Sequence, residues 1–143
     1  MSDNYLASDG SLDLEVLNRS ISLASRVGII IVEANAERVV GTMPVEGNTQ
    51  PQGLLHGGAS VVLAETLGSV GALIAAPPGV FAVGVDINAT HHRGVKEGEV
   101  VGIAKPIHLG STVTTWEVVI SLPSGPRVCT ARLTCLYRQA RPA

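Results

Sequence analysis

The spacing of apolar residues changes several times along this chain, and each change marks an element. Leu12, Val16, Leu17, Ile21 and Leu23 recur at helical spacing. That predicts a first helix over 11–27, with Ser11 as its N-cap, after a loose tail over 1–10. Ile29 to Glu33 is a β-branched run, Asn35-Ala36 suits a turn, and a second strand follows over 38–43. Residues 44–49 read as loop, broken by Gly47 and Asn48. Over 57–76 the chain is Ala, Val, Leu, Ile, Gly, Ser and Thr almost all round, until Pro77-Pro78-Gly79 stops it. A helix without a polar face is a buried helix, so a sheet must wrap it.

Four more strands supply that sheet, over 80–91, 99–108, 111–121 and 128–137. On the third, Trp116 shares a face with Thr112, Thr114, Val118 and Ile120. On the fourth, Cys129, Ala131, Leu133, Cys135 and Tyr137 form the apolar face. The end over 138–143 is polar. No repeat or linker interrupts the 143 residues. The pattern predicts one α+β domain over 1–143: tail and helix over 1–27, then a core over 28–137 with about six antiparallel strands around one long central helix.

Composition narrows the function. Hydrophobic residues make up 45% and charged residues 15%, which suggests that other copies of the chain cover some apolar surface. The net charge of −2 has no basic cluster, which argues against nucleic acid. No apolar run reaches the roughly 20 residues of a membrane span. The polar N-terminus lacks a signal-peptide core, so a cytoplasmic protein is expected. Cys129 and Cys135 stand near 20 Å apart if their strand is regular, at about 3.3 Å per residue. That separation excludes a disulfide within the chain and predicts reduced core cysteines.

Two oddities sit in the stretch QPQGLLHGGASVVLAETLGS, residues 50–69. Glu65 is a carboxylate in an apolar helix. Its neighbours Val61, Val62, Leu63, Ala64 and Leu67 predict burial, and an unpaired buried carboxylate is expensive. Such groups concentrate at functional sites, although a satisfied core glutamate would read the same way. Ser69, four residues on, shares its face. His56-Gly57-Gly58 opens the helix, where free N–H groups point outward and glycines allow close approach to the backbone. That end can hold a developing oxyanion, or its glycines only shape the turn. The two features constrain each other. Gly57 and Glu65 are eight residues apart, about 12 Å of helical rise, which a glutamate side chain cannot close. Either they are unrelated, or Glu65 meets the Gly57 end of a second copy, in a dimer with two symmetric sites.

The remaining candidates are weaker. His91 and His92 point to opposite faces of a strand, and His108 reads as turn packing. No metal-ligand motif, nucleotide loop or nucleophile elbow is present, so neither a metal nor a cofactor is expected.

The stretch over 50–69, followed by INATHHR (87–93) and PIHLG (106–110), resembles the hotdog-fold acyl-CoA thioesterases over roughly residues 28–137. The nearest groups are the PaaI-like and Arthrobacter-type 4-hydroxybenzoyl-CoA thioesterases (4HBT). That branch includes the enterobactin proofreading and 1,4-dihydroxy-2-naphthoyl-CoA thioesterases. The resemblance implies hydrolysis of an aryl- or acyl-CoA thioester to carboxylic acid and CoA. It implies Glu65 as nucleophile or general base, with Gln50 and the Gly57 N–H polarising the carbonyl. His56 would help position the thioester, and Ser69 would orient Glu65 or water. His91 would wall the pocket, Gly58 would contact substrate, and Arg93 would meet the CoA phosphates. The resemblance also implies that Glu65 comes from one subunit and Gln50 and His56 from its partner, in a homodimer or a homotetramer of two dimers. Arg93-Gly94 departs from the frequent Arg-Pro. Two other readings stay open: a non-catalytic acyl-CoA-binding module, and a hotdog dehydratase or hydratase.

Overall fold

The computed structural model describes Tyr5, residues 11–20 and residues 22–139. Its centre is helix α3, Gly57–Ile74, and its frame is a six-stranded antiparallel sheet. The strands are β1 (Ile30–Ala34), β2 (Val39–Pro44), β3 (Val80–His91), β4 (Glu99–Leu109), β5 (Val113–Ser121) and β6 (Arg127–Gln139), in the spatial order β1-β2-β4-β5-β6-β3.

The wrap needs small residues on α3, because sheet and helix approach closely. A β-carbon on Gly71 would stand 2.5 Å from Trp116 Cη2, so only glycine fits beneath that ring. Leu63, Leu67, Met43, Val118 and Ile120 are fully buried around it. Burying each such side chain contributes about 1.5–3 kcal/mol. Thr114, Trp116, Val118 and Ile120 are buried together, as are alternate residues of β6 from Cys129 to Tyr137. Both cysteines are free and buried.

The N-terminal region differs from its expectation. Instead of one helix there are two short ones, α1 (Leu14–Arg19) and α2 (Leu23–Arg26). Asp13, not Ser11, caps α1, its Oδ1 accepting from Val16 N at 3.0 Å. The serines break the helix. Ser20 Oγ donates to Leu17 O at 2.8 Å, and Ser22 and Ser25 form a capping box that starts α2. Hydroxyls that bond nearby backbone compete with helix continuation. Ile21 and most of the expected N-terminal tail lie outside the described residues.

Strand limits shift by a few residues. β5 starts at Val113 because Gly110 N donates to Val113 O at 2.9 Å and keeps 110–112 in the turn. β6 runs through Arg138 to Gln139, beyond the expected end, because Phe81 and Val80 of β3 pair with those residues. At 18 residues α3 is long and apolar enough to pass for a membrane span by length and composition alone, although it stays short of the roughly 20 residues a span typically needs. Here it is the core helix, packed against the sheet.

β3 positions the site. It is an edge strand, bound to β6 on one side only, and its register slips between Gly84 and Asp86. The strand around that bulge is open to solvent, with Val83 41% and Val85 52% exposed.

Candidate active site

The loop before α3 is folded back on itself. Gln50 N donates to Leu54 O at 2.8 Å and Gly53 N to Gln50 O at 2.9 Å, a turn that needs Gly53 at φ +74°. Asn48 Nδ2 ties the loop down, donating to Val27 O at 2.7 Å and Pro44 O at 2.8 Å. This brings Gln50 to the start of α3. There His56 is the N-cap, its Nδ1 accepting from Gly58 N at 2.8 Å. The cap fixes the ring and leaves Nε2 to carry the proton of the neutral imidazole. It also engages the Gly58 amide. A β-carbon on Gly58 would stand 3.0 Å from His56 Nδ1. Gly58 therefore serves the cap, its N–H donating to the His56 ring.

The Gly57 N–H has no partner among the described residues. His91 stands beside Gly57: a β-carbon there would stand 2.8 Å from His91 Nε2. Gln50, Gly57, His91 and Arg93 line one cavity of about 360 Å³, together with Ser60 and His92. Both histidines face this space, which strict strand alternation did not predict. The reason is that β3 ends at His91 and the chain turns there, His92 N and Arg93 N both donating to Val128 O at 2.8 and 3.3 Å. His92 Nε2 lies 3.0 Å from Thr130 Oγ1, which also accepts from Arg127 Nη1 at 3.2 Å. Arg127 escaped the sequence reading, because nothing in its spacing ties it to residues 91–93. His108 packs at its turn, its ring close to Gly110.

Glu65 and Ser69 are not part of this cavity. Glu65 is exposed in the single chain, which corrects the expected burial. An all-apolar helix gives no sign of which side leaves the sheet, and Glu65 points to the open edge beside β3. Its Oε1 lies 3.1 Å from where a β-carbon on Gly84 would stand. Cys135, the cross-strand partner of Gly84, completes the group. Burial pushes the Cys135 thiol up to about 11, the nearby Glu65 carboxylate adds to the rise, and the Ser69 hydroxyl opposes it. Ser69 and Thr66 also line a second, largely apolar cavity of about 350 Å³, walled by Leu17, Ile29 and Leu73.

The chain thus presents two partial sites along one helix. One has a free amide, an amide side chain, imidazoles and a cation. The other has a carboxylate and a hydroxyl.

Comparison with known proteins gives the family. Residues 52–129 match the model of the thioesterase superfamily, 4HBT. A proofreading thioesterase, EntH, of Cronobacter sakazakii is 43% identical over 126 residues, 86% of this chain and 92% of that protein. A solved thioesterase of Haemophilus influenzae superposes with a TM-score of 0.87 at 38% identity, covering 92% of this chain and 94% of that one. A thioesterase of Staphylococcus aureus, 30% identical, has been solved as a Glu-to-Ala variant (TM-score 0.79, 83% of this chain, 100% of that one) and a Gln-to-Ala variant (TM-score 0.78, 81% and 98%). Those two substitutions lie 15 positions apart, the separation of Gln50 and Glu65 here. The chain belongs to the thioesterase superfamily and is a hotdog-fold thioester hydrolase.

Proposed function

We propose that this protein hydrolyses an aryl- or acyl-CoA thioester to the carboxylic acid and CoA at sites shared between two copies. The observation that carries the reading is the unpartnered Gly57 N–H facing a cavity with Gln50, while Glu65 lies elsewhere on the same helix. The Gln50 side-chain amide and the Gly57 N–H donate to the thioester carbonyl, where negative charge develops on attack. Glu65 of the other copy attacks the carbonyl carbon directly, or takes a proton from the water that does. Ser69 steadies that carboxylate or water. His56 and His91 confine the thioester over Gly57. Arg93, exposed at the cavity mouth beside His92, meets the CoA phosphates. The apolar cavity beside Ser69 takes the acyl group.

The shared site requires a homodimer, and β3 offers its surface. This edge strand of twelve residues contains neither the lysine nor the proline that blunts exposed edges. Two copies pairing through β3 about a two-fold axis bring the Glu65 region of one toward the Gly57 end of the other. A homotetramer would pack two such dimers.

The test is release of free thiol from a panel of benzoyl-, hydroxybenzoyl-, naphthoyl-, phenylacetyl- and fatty acyl-CoA esters. Because both cysteines are buried, the protein's own thiols leave the thiol reagent to report CoA. Turnover of at least one ester is expected, with light scattering showing a dimer or tetramer. An active monomer, or a Glu65→Gln variant at wild-type rate on every ester, sinks the assignment.

A further inference from the structure

Gly84 borders the β3 bulge, yet its backbone does not call for glycine. Its φ lies outside the positive range, it is exposed, and it sits inside a strand, where glycine packs nothing and costs entropy. Alanine or a β-branched residue would serve β3 better. What the missing side chain leaves is a slot. A β-carbon there would stand 3.1 Å from Glu65 Oε1, 3.9 Å from Glu65 Cδ and 3.5 Å from Leu133 Cδ1. Leu133 stands at ordinary contact distance, so the carboxylate alone would have to give, by a few tenths of an ångström. Behind the slot stands Cys135, opposite Gly84 in register, and just past it the register slips before Asp86. The inner face of β3 therefore carries Gly84 against Glu65 and His91 against Gly57, one contact for each partial site.

The geometry points to Gly84 as a positioning residue for hydrolysis: its bare α-carbon seats the Glu65 carboxylate against β3 and so fixes the direction from which that carboxylate meets the thioester. This rests on the proposed catalytic role of Glu65. Misplacing a reacting group by a fraction of an ångström acts on turnover more than on binding. The Gly84→Ala enzyme is expected to lose about 10-fold or more in kcat with KM within about 3-fold, and Gly84→Val to lose more. Melting temperature should hold or rise, because alanine restricts the unfolded chain. Light scattering should show the wild-type assembly. In a Glu65→Gln background, Gly84→Ala should add no further loss.

A crystal structure of Gly84→Ala supplies a readout independent of activity, and the Glu65 carboxylate should be displaced from β3. Gly84→Ala with kcat within 2-fold of wild type overturns the proposal, as does an undisplaced carboxylate, a dissociated assembly or full additivity with Glu65→Gln. If Glu65→Gln is inactive while Gly84→Ala is normal, the catalytic reading stands and the seat alone fails. If Glu65→Gln is itself fully active, the catalytic reading fails with it.

Discussion

The start and the middle of α3 are built from opposite materials. At the start, backbone and side-chain donors collect around Gly57, with imidazoles and Arg93, and the cavity they line holds no carboxylate. In the middle, Glu65 and Ser69 stand at the open edge of the sheet near the Cys135 thiol. In the proposed reaction the start would stabilise negative charge and the middle would supply it. Eight residues on a straight helix, about 12 Å, keep them from meeting in one chain. In the proposed mechanism, distance along a rigid helix turns one segment into two complementary half-sites, and each half is expected to fail in its own way.

The largest effect should come from the middle. Glu65→Gln is expected to lower kcat by about 10²–10⁴-fold, the usual worth of a general base or nucleophile. Its melting temperature should stay near wild type, because the side chain is exposed in the chain; steady-state kinetics and thermal denaturation check both. The start should lose less. Gln50→Ala removes one of two carbonyl donors and is expected to cost about 10²-fold in kcat. The two backgrounds should also differ in pattern: a thioester analogue without an electrophilic carbonyl should bind Glu65→Gln as it binds wild type. Smaller again is Arg93→Ala, a solvent-exposed cation expected to raise KM about 3–10-fold with kcat retained, the difference shrinking as ionic strength rises.

The smallest effect reads the floor of the Glu65 half. Cys135 ionises at about 11 in the fold against 9.0 ordinarily. A raised thiol favours the protonated folded form, so its stabilisation is complete below pH 9 and lost as pH rises from 9 toward 11. Urea midpoints at pH 8 and pH 10.5 should fall more for wild type than for Cys135→Ala. Equal falls would remove the coupling between Cys135 and its surroundings.

Much of this was legible in the sequence. Pro77-Pro78-Gly79 and the polarity break at Gly57 bounded α3, and strand alternation found six strands, because period and punctuation are local signals. The Glu65 environment was not legible. Burial was inferred from neighbours along the helix, but exposure depends on where the sheet ends. Helix α1 was misread for a related reason, since Ser20 and Ser22 compete for backbone in a way apolar spacing ignores. Gly84 and Cys135 come beside Glu65, and Arg127 reaches the Thr130 hydroxyl next to His92, through contacts that only the fold specifies.

The central claim is that each site takes Glu65 from one copy and Gln50 with Gly57 from another. Glu65→Gln and Gln50→Ala chains, each nearly inactive, can be unfolded together and refolded as a mixture. Random pairing makes half the dimers mixed, and each mixed dimer holds one site with both residues intact. Thiol release should then recover to roughly a quarter of the wild-type rate per chain. Recovery no greater than the sum of the two variants refolded apart would contradict the shared site.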